Sequence, residues 1–372
     1  MRTTLIRYLL ALWVCLAIFP CLRANAEGMD VLETAASDLE LPAEAAAVLE
    51  TQGIRAEEPS SVLEVPPTAW LQAAWDTLRT EIKAPAALLS SLLTLTLLAA
   101  AFEGMSDTAS CGGMRGLFDT LCTLICVGAA ASPLCDCLNR TASTLTAGDV
   151  FMGGFVPVFS GFLAAGGAVA SGTTYHAVLL MLTEFVEQLT SLLLFPLMKA
   201  AAALGAADAV NPHLRLGGLV KGIRRVVTWS LATLMAFFAA ILSVRSFVAD
   251  AADGLASKTV RLLTSGLIPI VGGAVSDAYG TVQGSIRLLQ NGTGVLGILA
   301  IVWLLLPPLL SAICYRAAFH IAGIAAELAG TDSMRRLCDD ADEVLSAAFA
   351  MLVTYGIMLI FSTAILLLLM GT

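Results

Sequence analysis

Between Arg287 and Arg316, and again from Val344 to the final Thr372, the chain carries no charged side chain. Each run is longer than the roughly 20 residues that a helix needs to cross a bilayer core. Runs of that length have no place in an ordinary soluble domain, and the composition agrees. The chain is 58% hydrophobic and 13% charged, where soluble domains carry about a quarter charged residues. Since only helices and closed barrels satisfy their backbone polar groups in lipid, and the apolar runs have helix length, the sequence specifies an all-α polytopic integral membrane protein.

Apolar runs place spans at about 84–103, 116–138, 175–204, 226–248, 294–326 and 343–369, six in all. Two further apolar stretches, 150–171 and 266–284, are interrupted by glycine and proline and are expected to be re-entrant or short. Broken backbone cannot face lipid, so it must be buried in protein or line a water-filled cavity. Pro157 and Gly161 in the first stretch, and Pro269, Gly272, Gly273 and Asp277 in the second, are therefore candidate pore-lining or subunit-contact residues. Close helix packing through small residues explains the same pattern without a pathway.

The two stretches echo each other. Phe155-Val156-Pro157-Val158-Phe159-Ser160-Gly161 and Leu267-Ile268-Pro269-Ile270-Val271-Gly272-Gly273 are offset by 112 residues, as are Pro196 and Pro308, and Arg224 and Arg336. The shared offset predicts two parallel repeats, 116–225 and 228–337. Internal repeats with broken segments are common in transport folds.

The ends of the chain differ in charge. Arg2 and Arg7, the apolar run 8–22 and Ala24-Asn25-Ala26 together read as a secretory signal over residues 1–26. Residues 27–83 hold twelve acids and three bases, and so account for a charge equal to the whole chain's net −9. That acidity argues against nucleic-acid binding; cleavage of the signal would make 27–83 an extracytoplasmic segment, an uncleaved first span being the alternative. Trp70 and Trp75 within it suit either a membrane-interface helix or ordinary core packing. Arg215, Lys221, Arg224 and Arg225 face only Asp208 in residues 205–225, which predicts a cytoplasmic loop. Residues 327–343, with Arg335 and Arg336 among acids, are expected on the same side. The transmembrane domain is then 84–372, with its C-terminus outside.

Ionisable residues inside spans are costly and are functional suspects. Glu184 and Glu187 sit three apart, on one helix face, in a long apolar run. Two carboxylates on one turn suit proton or cation handling; exposure to an aqueous cavity or to a partner's basic residue is the alternative. Lys199 and Arg316 are expected to snorkel to the interface, with His320 one turn beyond Arg316, and Arg245 to pair with Asp250. Cys122, Cys126, Cys135 and Cys137 read as small buried apolar side chains, with a Cys135–Cys137 disulfide the alternative in an oxidising space. No His-Glu-x-x-His or Gly-x-Ser-x-Gly motif is present, and Gly217-Gly218-Leu219-Val220-Lys221-Gly222 lacks Walker A spacing. The expectation is a protein that is not an enzyme, needs no cofactor or metal, and draws any energy from a partner or an ion gradient.

Ser265-Gly266-Leu267-Ile268-Pro269-Ile270-Val271-Gly272-Gly273-Ala274-Val275-Ser276-Asp277-Ala278 resembles the Pro-Val-Val-Gly-Gly-Ala-Ser-Asp stretch of the stage III sporulation protein AE family. The amphipathic lead-in from Arg245 to Arg261 and the apolar helix from Gly294 to Leu310 are similar too. The resemblance runs from about residue 84 to the end and is strongest over 220–310. It implies a mother-cell membrane subunit in endospore formation, within a channel complex that meets a forespore protein across the intermembrane space. The implied partners are other stage III sporulation A-operon membrane proteins and a cytoplasmic secretion-type ATPase. It supplies no catalytic residues. An independent small-solute or ion transporter is the alternative, motivated by the repeats and by Glu184 and Glu187.

Overall fold

The computed structural model describes residues 41–51, 66–106, 112–165, 169–211, 216–241 and 272–371; for 102–106, 112–119, 162–165, 169–176, 272–293 and 365–371 the backbone path alone is described. The signal segment 1–26, Pro269 and the Arg245–Asp250 pair lie outside the described residues.

Every described element is helical: α1 (Ala43–Thr51), α2 (Pro67–Glu81), α3 (Lys83–Ser106), α4 (Gly112–Ala165), α5 (Val169–Leu189), a π turn (Thr190–Leu194), α6 (Phe195–Val210), α7 (Gly217–Ile241), α8 (Gly272–Leu328) and α9 (Asp332–Gly371). Six stretches among them are long and apolar enough to cross a membrane: Thr68–Ala101, Thr120–Gly161, Ala177–Val210, Gly217–Ile241, Gly294–Leu328 and Asp332–Ala364. They match the six spans expected from the sequence, but they begin and end elsewhere.

The largest difference is in α4. Sequence puts a loop between spans ending at 138 and restarting at 150; the structure carries one 54-residue helix through Pro133 and Pro157. Its polar middle stays helical because its polar groups find partners. Thr141 and Thr144 donate to the carbonyls of Cys137 and Arg140 at 2.9 and 2.8 Å. Arg140 forms a bidentate pair with Glu81 at the end of α2, at 2.7 and 2.8 Å. At 1.5 Å per residue the helix is about 80 Å long, well beyond a hydrocarbon core of about 30 Å.

Burial along α4 follows one stripe at helical spacing: Cys122, Cys126, Ala130, Leu134, Leu138, Leu145, Met152, Phe155 and Phe159. Phe151, Phe155 and Phe159 stack in an i, i+4 ladder with ring centroids 5.4 and 5.1 Å apart. Gly297 of α8 sits on this ladder, and a Cβ there would fall 2.5 Å from the Phe155 ring. Helices in lipid gain little from hydrophobic transfer and much from close contact, so a glycine at the crossing suits the setting.

The α8–α9 hairpin is the backbone of the bundle. It turns at Gly330, whose φ of 77° lies in the left-handed region that glycine favours. Gly330 N donates to Glu327 O at 3.2 Å and Thr331 N to Ala326 O at 3.0 Å, the paired bonds of a Schellman cap. Leu305 fits beside Gly356, where a Cβ would meet its Cδ1 at 2.6 Å. On the flank of α8, Trp70 stacks on Trp303 at 5.9 Å, which places Trp70 in the packed core, whereas Trp75 is 54% exposed with Arg79 over its ring.

Candidate functional site

The described part of the first broken stretch, Val150–Gly161, is the continuation of α4, with Pro157 and Gly161 half-buried behind the phenylalanine ladder. In the second, Gly272, Gly273 and Asp277 lie in the first turns of α8, where the backbone path alone is described. One stretch therefore ends a long helix and the other begins one, and the 112-residue offset relates landmarks in different helical settings.

Glu184 and Glu187 lie on α5, one turn before the π turn. Glu184 is exposed beside the exposed apolar Met181 and Phe185, and it accepts a hydrogen bond from Gln188 Nε2 at 3.0 Å. Glu187 is half-buried. Both are near enough to Asp149 of α4 to act on it electrostatically, and Glu187 also acts on Tyr355 of α9. These four residues come from three helices.

Tyr355 is the centre of the group. It is buried, and its Oη lies 2.7 Å from Asp149 Oδ1 and 3.0 Å from the Leu145 carbonyl oxygen. A phenol has one hydrogen to donate. With an ionised Asp149, one of the two acceptors goes without. With a proton on Asp149, the acid donates to the phenol oxygen and the phenol donates to Leu145. The geometry is thus completed by a proton on the carboxyl. Asp149 Oδ2 is enclosed and has no hydrogen-bond partner, so the site retains one unused acceptor.

Two local features shape the site. A Cβ on Gly148 would fall 2.5 Å from Tyr355 Oη, so only glycine lets the phenol reach α4. The π turn Thr190–Leu194 interrupts α5–α6 beside it, and such bulges are frequent at functional positions. A cavity of about 10 Å³, room for about one water, is lined by Leu145, Val186, Thr190, Leu231, Leu234 and Tyr355. Among the described residues no group of three His, Cys, Asp or Glu side chains could hold a metal ion.

Sequence reasoning did not single out Asp149 or Tyr355. Asp149 is the one acidic residue between Asp136 and Glu184, two positions ahead of the phenylalanine ladder. Those are the signals that point to it. Arg316, expected to snorkel to the interface, is paired with Asp342 at 2.9 Å. Cys122, Cys126 and Cys137 are buried and Cys135 is exposed.

Comparison with known proteins adds what geometry cannot. The family model described as stage III sporulation protein AE matches residues 60–369. The chain belongs to the stage III sporulation protein AE family. A relative of that name from Bacillus subtilis (strain 168) is 21% identical over 300 residues, covering 81% of this chain and 75% of the relative. No solved structure matches the chain. Membership implies involvement in sporulation and association with its stage III machinery, and six membrane-capable helices put the chain in a membrane.

Proposed function

We propose that the chain is a membrane subunit of a transenvelope channel complex between mother cell and forespore, acting as a structural or export-gate component needed for forespore development. It resides in the mother-cell membrane around the forespore. Its partners are other stage III sporulation A-operon membrane proteins, a cytoplasmic secretion-type ATPase and a forespore membrane protein across the intermembrane space.

The observation that carries this reading is the extent of the family match. Residues 60–369 take in α2 through nearly all of α9, the whole six-span bundle. Among the described residues, two cavities of about 10 Å³ lie inside the bundle, each too small for a solute. In this reading a conduit forms between subunits. In this reading the chain is not an enzyme, and Pro157, Gly161, Pro269, Gly272, Gly273 and Asp277 contribute to subunit contacts.

The test is deletion in the native host, scored by a late forespore reporter, with affinity purification of the tagged chain from sporulating cells. Loss of reporter activity and co-purification of the A-operon membrane proteins are expected. Normal sporulation with no co-purifying membrane protein would sink the proposal.

The second reading, an independent small-solute or ion transporter, is favoured by the Asp149–Tyr355–Glu187 group beside a π turn. Proton or ion flux through liposomes holding the chain alone would support it over the complex-subunit reading. The same liposomes staying tight would leave the transporter without support.

A further inference from the structure

A second acidic pair lies where α6 turns into α7 and meets α9. Asp208 and Asp340 are 3% and 4% exposed. Asp208 Oδ1 accepts the backbone N–H of Leu216 and so caps the start of α7. Asp340 Oδ2 is enclosed and has no partner. Gly217 stands between the two carboxyls. The three atoms nearest to the position of a Cβ there are all carboxyl oxygens: Asp340 Oδ1 at 3.5 Å, Asp208 Oδ2 at 3.6 Å and Asp340 Oδ2 at 3.9 Å. Gly205 brings α6 against the same side chain, with its own Cβ position 2.8 Å from Asp340 Cβ.

Two buried carboxylates that both come within 4 Å of one Cβ position raise the cost of each other's charge unless a cation lies with them. The neighbouring bases do not supply one. Arg224 of α7 is engaged by Glu343, and Arg335 is shared between Glu327 of α8 and Asp339 at 3.3 and 3.7 Å. Arg336, one turn before Asp340, reaches Ser333 at 3.4 Å. Lys221 of α7 is within electrostatic reach of Asp340, but its side chain is exposed. Asp339 and Glu343 on α9 add negative charge. Two carboxyls fall short of the six to eight oxygens that Ca²⁺ takes.

We propose that Asp208 and Asp340 form a proton-binding site in which one proton on the pair keeps the α6–α7 corner seated on α9. With the proton present, one of the two charges is gone and Asp208 keeps its cap on Leu216. Without it, the two charges repel, and the corner loosens where α7 begins.

Hydrogen exchange of the full chain in lipid nanodiscs tests this at residues 205–221, with rates corrected for intrinsic pH dependence. Protection should fall about tenfold as pH rises from about 5 to about 8, as expected for one proton lost from a coupled pair. Asp340→Asn removes one of the two charges at every pH, so its protection should be high and flat with pH. A pH response in Asp340→Asn equal to that of the unsubstituted chain would overturn the proposal. If that variant fails to assemble, Lys221→Gln carries the test, because loss of its charge should move the response to higher pH; an unmoved response overturns the proposal. Recovery of protection at high pH by sodium chloride, but not by choline chloride, would assign the site to a metal cation and overturn the proton.

Discussion

Three glycines show how much one missing methyl decides in this bundle. Gly148 leaves room for the Tyr355 phenol and Gly297 for the Phe155 ring, each with a Cβ position 2.5 Å from the neighbour, whereas Gly153 has nothing within 4 Å. Tyr355 and Phe155 are both buried and cannot step aside. Gly148→Ala and Gly297→Ala should therefore each cost about 1–3 kcal/mol by overpacking, while Gly153→Ala should gain about 0.5–1 kcal/mol from helix propensity. Denaturant titration of the three purified variants checks the contrast, and equal effects would show that the crossings are looser than described. The same scale separates the members of the Asp149 site. Tyr355→Phe strands the enclosed carboxyl and should cost about 1–3 kcal/mol. Asp149→Asn keeps a donor facing the phenol oxygen, so it should be the milder change if the carboxyl is protonated. A harsher Asp149→Asn would mean that the ionised acid is the resident form.

At the scale of elements, the π turn explains a burial pattern that a plain helix cannot. Leu182, Val186, Thr190, Leu194 and Met198 are buried at successive steps of four residues. Each such step advances about 40° beyond a full α-helical turn, so four would carry the face well around the rod. One extra residue in the turn Thr190–Leu194 takes up most of that drift. Deleting exposed Ser191 should convert the turn to α-helix and leave the α6 face seated on α9, whereas deleting Ala200 should rotate the rest of α6 off its contacts. Detergent-solubilised yield and Tm of the two deletions distinguish them. Much of this level was legible in the sequence. Long uncharged runs need a bilayer whatever they pack against, so six spans followed directly. Their limits did not, because Pro157 and the polar stretch 139–149 read as a breaker and a loop. Bundle neighbours supply partners that a sequence cannot show, as Glu81 does for Arg140. Asp149 went unnoticed for the same reason: it fell in that supposed loop, and Tyr355, its partner, is 206 residues away.

The whole molecule gives the two ends of the bundle different characters, which makes its topology testable. The α6–α7 corner and the α8–α9 turn meet at one end, where Arg224 pairs with Glu343 and Gly217 stands against Asp340. The sequence expectation that residues 205–225 and 327–343 share a side rests on their basic residues, and the fold brings those same loops together. Leu49 of α1 packs instead on Leu296, near the middle of α8. From Leu296 to Leu328 the helix rises about 48 Å at 1.5 Å per residue, more than a hydrocarbon core of about 30 Å. The prediction is that α1 and the basic corner lie on opposite faces of the membrane, with the basic corner cytoplasmic by its charge. Glu50, Gly218 and Asp332 are all exposed and serve as reporters when changed singly to cysteine. In right-side-out vesicles an impermeant maleimide should label Glu50→Cys above the unsubstituted background and leave Gly218→Cys and Asp332→Cys unlabelled. Inverted vesicles should reverse the pattern. Labelling of Gly218→Cys and Asp332→Cys from different sides would contradict the fold itself. Labelling of all three from one side would mean that the rise along α8 does not cross the bilayer.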